Sequence, residues 1–186
     1  MRRIRYSVAM SLDGFIAGPQ GEADWITMDP DVDFSSVDKV FDTIFVGGRT
    51  FAAMTGGRPG GKIFGLRTFV FSRTLQQRDH PKVTIVAGDI TKLVTDLRAE
   101  PGKDIWLFGG GLLFRSLVEA GLVDTVEVAV IPVLLGNGIS LFPAPAPRTR
   151  LRLTSHKVYP KTGTLWLEYA LERPTPRGRA RSPRKR

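Results

Sequence analysis

The stretch Asp104-Ile-Trp-Leu-Phe-Gly-Gly-Gly-Leu-Leu-Phe-Arg-Ser-Leu117 constrains this chain more than any other. Ile105 to Phe108 form a short apolar run, the kind of segment that makes a strand buried on both faces. Three glycines follow without a gap, and then Leu113 and Leu117, like Phe114 and Val118, fall four residues apart, which is helical spacing. The stretch therefore reads strand, Gly-Gly-Gly, helix. Consecutive glycines cost backbone entropy on ordering, so something should require them. One such requirement is a close approach of backbone to a ligand. The bare N–H groups of the helix start would then favour an anion such as a phosphate. The other is a tight strand-to-helix turn with no ligand.

The rest of the chain repeats the strand-and-helix alternation. Arg3 to Met10 reads as a first strand, followed by the glycine-punctuated loop Ser11 to Gly18. Val37, Val40, Phe41 and Ile44 have helical spacing, with Asp33, Ser35 and Ser36 as plausible N-caps. Thr43 to Val46 reads as a short strand, and Gly47-Gly-Arg-Thr50 opens a second short helix, Phe51 to Met54. Thr55 to Gly65 is a glycine-rich loop, and Thr68 to Phe71 and Val83 to Val86 are further strands. Asp89 caps a helix with the apolar face Ile90, Leu93, Val94 and Leu97, closed by Pro101-Gly102. After the opening stretch, Thr125 to Ile131, Leu151 to Tyr159 and Thr164 to Leu171 read as strands of the antiparallel type. The last two flank a hairpin turn, Pro160-Lys-Thr-Gly163. The order predicts an α/β fold: a mostly parallel sheet covered on both faces, with antiparallel C-terminal strands.

At 186 residues the chain is expected to form one domain with a real core. It has no cysteine, which excludes disulfides, thiolate nucleophiles and cysteine-ligated metals. His80 and His156 have no partner at ligand spacing, so no metal is expected. No apolar run approaches the roughly 20 residues of a membrane span, and no signal peptide is recognisable, so the expectation is a cytoplasmic protein without a membrane partner. The net charge of +9 is unevenly spread: Arg173 to Arg186 hold six Arg, one Lys and no acid, which leaves only +2 for residues 1–172. The division expected is a folded domain over 1–172 and a disordered basic tail over 173–186. The tail lacks interleaved aromatics, so at most weak, non-specific nucleic-acid binding is expected of it.

Several strands end in glycine or in a small or basic residue: Gly47-Gly48-Arg49-Thr50, Ser72-Arg73, Gly88-Asp89 and Gly109-Gly110-Gly111. In open α/β sheets, ligands bind beyond the carboxyl ends of the strands. Two glycine-opened helix starts with Arg49 and Arg73 suit a ligand with more than one phosphate, because guanidinium forks match phosphate oxygens. NADP, a dinucleotide with an extra ribose phosphate, would use all of these groups. Neither G-x-G-x-x-G nor G-x-x-x-x-G-K-[ST] occurs, so an ordinary Rossmann domain and a P-loop enzyme are both excluded.

Five stretches carry a more specific resemblance: Ser7 to Gly18, Val46-Gly-Gly-Arg-Thr-Phe51, Phe71-Ser-Arg-Thr74, Phe108-Gly-Gly-Gly111 and Pro132 to Phe142. In this order they resemble the dihydrofolate reductase fold, a three-layer sandwich, and most of all the branch containing the reductase domain of the riboflavin-biosynthesis deaminase–reductase. The resemblance implies an NADPH-dependent reductase acting on a small pterin- or pyrimidine-like heterocycle, and a homodimer. It implies that Ala9 and Ile16 line the nicotinamide, and that Gly48, Arg49 and Thr50 hold phosphate at a helix start. Ser72 and Arg73 would hold the adenosine-side phosphate, and Gly109, Gly110, Gly111, Leu112 and Leu113 would cradle the pyrophosphate. Folate reductases carry a carboxylate on their first helix, and neither Asp31 nor Asp33 falls at that place, so the resemblance points away from folate. The zinc deaminase signature cannot exist without cysteine. Asp13, in the loop nearest the nicotinamide, is the candidate acid, and a turn-former beside Gly14 is its other reading. Asp24 and Trp25 are further candidates for the pocket lining. The alternative to an enzyme is a non-catalytic NADP(H)-binding or interaction module.

Overall fold

Alternation of side chains along the strands decides how the sheet is covered, because residues two apart share a face. The computed structural model describes residues 1–172 except Phe34, Ser36 and Pro59. The expected tail, Arg173 to Arg186, and the candidate cap Ser36 lie outside the described residues. The order of elements is β1 (Ile4–Ser11), β2 (Phe15–Ala17), α1 (Val37–Val40), β3 (Phe41–Gly47), α2 (Gly48–Thr55), β4 (Arg67–Phe71), β5 (Thr84–Val86), α3 (Ile90–Ala99), β6 (Asp104–Gly109), α4 (Gly111–Glu119), β7 (Thr125–Ile131), β8 (Ile139–Ser140), β9 (Leu151–Tyr159) and β10 (Thr164–Leu171). Single 3-10 turns at Ile63–Gly65 and Gln77–Asp79 interrupt the loops.

Eight strands form one sheet in the order β5-β4-β3-β6-β1-β7-β10-β9. Every pairing from β5 to β7 is parallel, and β10 pairs antiparallel with β7 and β9. This is an α/β three-layer fold of the dihydrofolate reductase type. One face carries Ile4, Tyr6, Phe45, Phe69, Ile105, Leu107, Val126 and Val128, packed against α3 and α4 through Val94, Leu97, Leu113, Phe114 and Leu117. The other carries Ile44, Val46, Val70 and Trp106, packed against Phe51 of α2 and against Ile63 and Leu66. Ile105, Trp106 and Leu107 are all buried, as their apolar run predicts for a central strand. Among the described residues no helix is long and apolar enough to cross a membrane.

One expected element is corrected. The helix expected over Val37, Val40, Phe41 and Ile44 ends at Val40, and Phe41 and Ile44 belong to β3. The register of β3 against β6 shifts between Phe41 and Thr43. That bulge turns Phe41 onto the same face as Ile44 and Val46, so three-residue spacing here comes from a strand irregularity rather than a helix. A second departure is the two-stranded ribbon β2–β8, in which Phe15 faces Ser140 and Ala17 faces Ile139.

A largely buried ion pair closes the end of the sheet away from the glycine-rich strand ends. Arg98 of α3 donates to both carboxylate oxygens of Asp124, at 2.9 and 2.8 Å, and to the carbonyls of Arg2 and Leu122. Asp124 in turn accepts from the Ile4 amide. Removing one partner of such a pair strands the other charge in the interior. Arg98→Met is therefore expected to lower stability by about 3 kcal/mol, as read by urea denaturation. A loss of a few tenths would mean that Asp124 is adequately served without Arg98.

Candidate functional site

Because β1, β3, β4, β5 and β6 are parallel, their carboxyl ends share one rim. The chain leaves neighbouring strands β3 and β6 in opposite directions there. α2, following β3, packs on one face through Phe51, whereas α4, following β6, packs on the other through Leu113, Phe114 and Leu117. Such a reversal between neighbouring strands is where open α/β sheets usually carry a ligand crevice. Both helix starts face this region: a Cβ placed on Gly47 would lie 3.7 Å from the Gly110 nitrogen, and one on Gly110 would lie 3.3 Å from Thr50 Oγ1.

Neither start is closed by a side chain. Gly47 caps α2 and Gly110 caps α4, and among the described residues no side chain bonds to either helix start. The first α4 amide to find a carbonyl is that of Phe114, which donates to Gly110 at 3.1 Å. Helix geometry thus leaves the amides of Gly111, Leu112 and Leu113 without intrahelical acceptors, and likewise those of Gly48, Arg49 and Thr50. α3 contrasts with both, since Asp89 accepts from the Lys92 amide at 3.0 Å and closes its own start. The Gly109–Gly110 peptide is cis.

The residues expected at this rim fall into groups. Gly48, Thr50, Gly109 and Gly110 adjoin one another, and Ser72 lies beside Gly48, 2.9 Å from a Cβ there. Arg49 and Arg73 are exposed and have no hydrogen-bond or ion-pair partner among the described residues. Ser72 Oγ accepts from the amides of Thr74 and Leu75, both at 3.2 Å, so it also shapes its own loop. Leu112 is exposed, but the Leu113 side chain is core and can offer a ligand only its backbone. Ala9 is half-buried on β1 opposite Ala129, and Ile16 is half-buried on β2.

Asp13 stands in a different environment from that of an acid. It accepts from Ser11 Oγ at 2.6 Å, from the Leu135 amide at 3.1 Å and from the Gly136 amide at 2.7 Å. The Ser11 bond, aided by those amides, holds its pKa below the ordinary value. The carboxylate thus clasps the loop after β1 to the loop after β7. Asp31, before α1, pairs with Lys161 at 2.8 Å, and Asp29 accepts from the Thr162 hydroxyl at 2.9 Å. The loop ahead of α1 is thereby tied to the turn between β9 and β10. The Trp25 indole N–H is spent on the Glu22 carbonyl at 3.3 Å.

Sequence reasoning missed the aromatic surface next to this rim. Phe64 stacks on Trp106, with ring centroids 5.3 Å apart, and tilts against Phe108 at 5.9 Å. Phe108 immediately precedes the glycine run. The signal available was a phenylalanine set beside Gly65 in a glycine-rich loop.

The model of the RibD C-terminal domain matches residues 2–165. The chain belongs to the RibD C-terminal domain family. An uncharacterized Bacillus subtilis protein, YyaP, is 33% identical over 179 residues, covering 90% of this chain and 94% of that protein. Among solved structures, a putative riboflavin biosynthesis protein from Shewanella superposes with a TM-score of 0.77 at 24% identity, covering 93% of this chain and all of that one. A dihydrofolate reductase from Enterococcus faecalis, complexed with NADP(H), superposes with a TM-score of 0.67 at 18% identity, covering 92% of this chain and 97% of that one. The RibD C-terminal domain thus shares its fold with dihydrofolate reductases.

Two measurements test this geometry. The Asp13 clasp is fully present above the ordinary aspartate pKa of 3.8 and is lost as pH falls below it through the depressed folded value. The Leu135 and Gly136 amides should therefore resist hydrogen exchange equally at pH 7 and pH 5 after correction for intrinsic rates, and open only in stronger acid. Opening between pH 5 and 7 would mean that another group holds the loop. In the glycine run, a Cβ on Gly111 would meet the Ser140 carbonyl at 2.5 Å, whereas one on Gly110 meets only the Thr50 hydroxyl, at 3.3 Å. Gly111→Ala should cost about 1–3 kcal/mol of stability. Gly110→Ala should leave the melting temperature nearly unchanged while narrowing the crevice; comparable melting for the two variants would contradict the packing described.

Proposed function

We propose that this RibD C-terminal domain is an NADPH-dependent reductase acting on a small pterin- or pyrimidine-like heterocycle. The observation that carries the reading is the pair of helix starts, at Gly48 and Gly111, that meet across one crevice with no side chain capping either. A self-capped start such as that of α3 has its donors in use; these two leave theirs for an anionic ligand. The donor set therefore fits a pyrophosphate. In this reading the amides of Gly111, Leu112 and Leu113 and those of Gly48, Arg49 and Thr50 hold the bridging phosphates. Arg73, free of other partners and two strands from β6, takes the ribose phosphate that distinguishes NADPH from NADH. Ala9 and Ile16 border the nicotinamide.

When bound, NADPH would supply a hydride to the substrate. This chain's own part is binding and alignment, since holding two reactants in register supplies much of a rate. Asp13, held ionised by its clasp, does not serve as a proton donor near neutrality. The proton that completes the reduction comes from solvent.

The cofactor side can be tested without knowing the substrate. Arg49→Ala is expected to weaken NADPH and NADH alike. Arg73→Ala should weaken NADPH about ten-fold, the scale of one lost charge-assisted contact, and barely affect NADH. Equal losses of both cofactors on Arg73→Ala, measured by titration of nicotinamide fluorescence, would remove Arg73 from the ribose phosphate. A chain that binds NADPH but oxidises it with no pterin, pyrimidine or quinone would be a binding module and not an enzyme.

A further inference from the structure

Phe64 combines three features that packing alone does not call for. Its backbone sits in the left-handed region, with φ 50° and ψ 26°, and it is the one non-glycine residue with positive φ among the described residues. A bulky side chain there is strained and persists only where its surroundings over-determine it. Here they do. Ile63 and Leu66 on either side are buried, the Leu66 amide donates to the Ile63 carbonyl at 3.0 Å, and the buried Thr68 hydroxyl accepts from the Ile63 amide at 3.0 Å while donating to the Leu66 carbonyl at 2.9 Å. The turn is pinned at both ends and holds Phe64 out of the core, with the residue 52% exposed.

What Phe64 rests on is equally fixed. Trp106 stacks with Phe41 at 5.5 Å and with Phe64 at 5.3 Å, and its indole N–H donates to the Ser7 carbonyl at 3.0 Å. Phe108 meets Trp106 edge-on at 5.1 Å and Phe64 at a 60° tilt. Phe64 and Phe108 thus form a floor and a wall. β6 and β1 are adjacent parallel strands in which Arg5 is level with Trp106. That register runs to Tyr6 and Leu107, one residue before Ser7 and Phe108, and Ala9 follows on the same face as Ser7. The Trp106 bond to the Ser7 carbonyl therefore ties the aromatic corner to the strand that carries Ala9, the residue that borders the nicotinamide in the reductase reading.

We propose that the exposed ring of Phe64, carried on Trp106 and cornered by Phe108, is the stacking surface for a planar heteroaromatic ring of the substrate. The inference rests on the reductase reading, which supplies the neighbouring ring to be reduced. Stacking on a phenyl face selects flat, delocalised rings and gives a saturated or purely sugar-phosphate compound nothing to rest on. The left-handed turn keeps the ring outside the core and fixed in angle before any ligand arrives.

The test uses the full chain saturated with NADP+, titrated calorimetrically with lumazine and separately with dihydrouracil, a ring that is not aromatic. Wild type should bind lumazine and not dihydrouracil. Phe64→Leu should weaken lumazine by about three- to ten-fold, Phe64→Tyr should restore it to within about two-fold, and the affinity for NADP+ should be the same in all three. Phe64→Gly, which relieves the left-handed backbone, guards against misfolding: it should melt no lower than Phe64→Leu and lose lumazine all the same. Lumazine binding that is equal in wild type and Phe64→Leu, or absent from wild type that binds NADP+, overturns the stacking role. Phe64-dependent lumazine binding in a chain that fails to bind NADP+ would instead overturn the cofactor reading and leave the platform standing.

Discussion

The structure turns on one topological constraint: β3 and β6 are neighbours, yet the chain leaves them over opposite faces of the sheet. The two connections pack on opposite faces, so the strand order itself makes this rim the place where a ligand crevice is expected. Everything at the site is a consequence of how that crevice is lined. Two helices begin there, and helix starts carry amides that need acceptors. Where the chain wants a helix start satisfied internally it supplies Asp89, as at α3. At the crevice it supplies glycine.

Glycine has different work to do at each position. Gly111 is demanded by the protein itself, because the Ser140 carbonyl and the Pro143 ring crowd its missing side chain. Gly48 makes room for the Ser72 side chain, which shapes the next loop along the rim. Gly110 has an extended backbone, φ −98° and ψ −179°, open to any residue, and only a hydroxyl at the edge of ordinary contact near its missing Cβ. Packing thus fixes Gly111 and not Gly110, a distinction that residue type alone does not carry.

The strand–glycine–helix units were legible in the sequence because each is local: an apolar run, a break, then helical spacing within fourteen residues. The parallel sheet and its antiparallel edge followed from the order of such units. What was not legible depended on partners far along the chain. The bulge that places Phe41 beside Ile44 exists only against β6, and it imitates helical spacing. The strands of the β2–β8 ribbon are too short to show a period. The Asp13 clasp closes onto amides 122 and 123 residues away, so a carboxylate beside a glycine looked like a turn-former or an acid, when its role was to join two loops. Phe64 was hidden for a similar reason, since the turn that exposes it is set by Thr68 and by burial of its neighbours.

The same sheet therefore does two jobs on its two faces. The face under α3 and α4 is continuous apolar core from β5 across to β7, with β10 packed against its edge. The opposite face is apolar only under β3, β4 and β6; across β1 and β7 it bears Arg5, Ser7 and Glu127, with Arg5 bonded to Glu127 at 2.5 Å. Burial works against the Arg5 charge, yet the bond to Glu127, with Glu168 and Asp104 nearby, leaves its pKa raised. The central strands therefore hold a fixed, satisfied ion pair. Most of the apolar packing lies on the other side of the sheet, under α3 and α4.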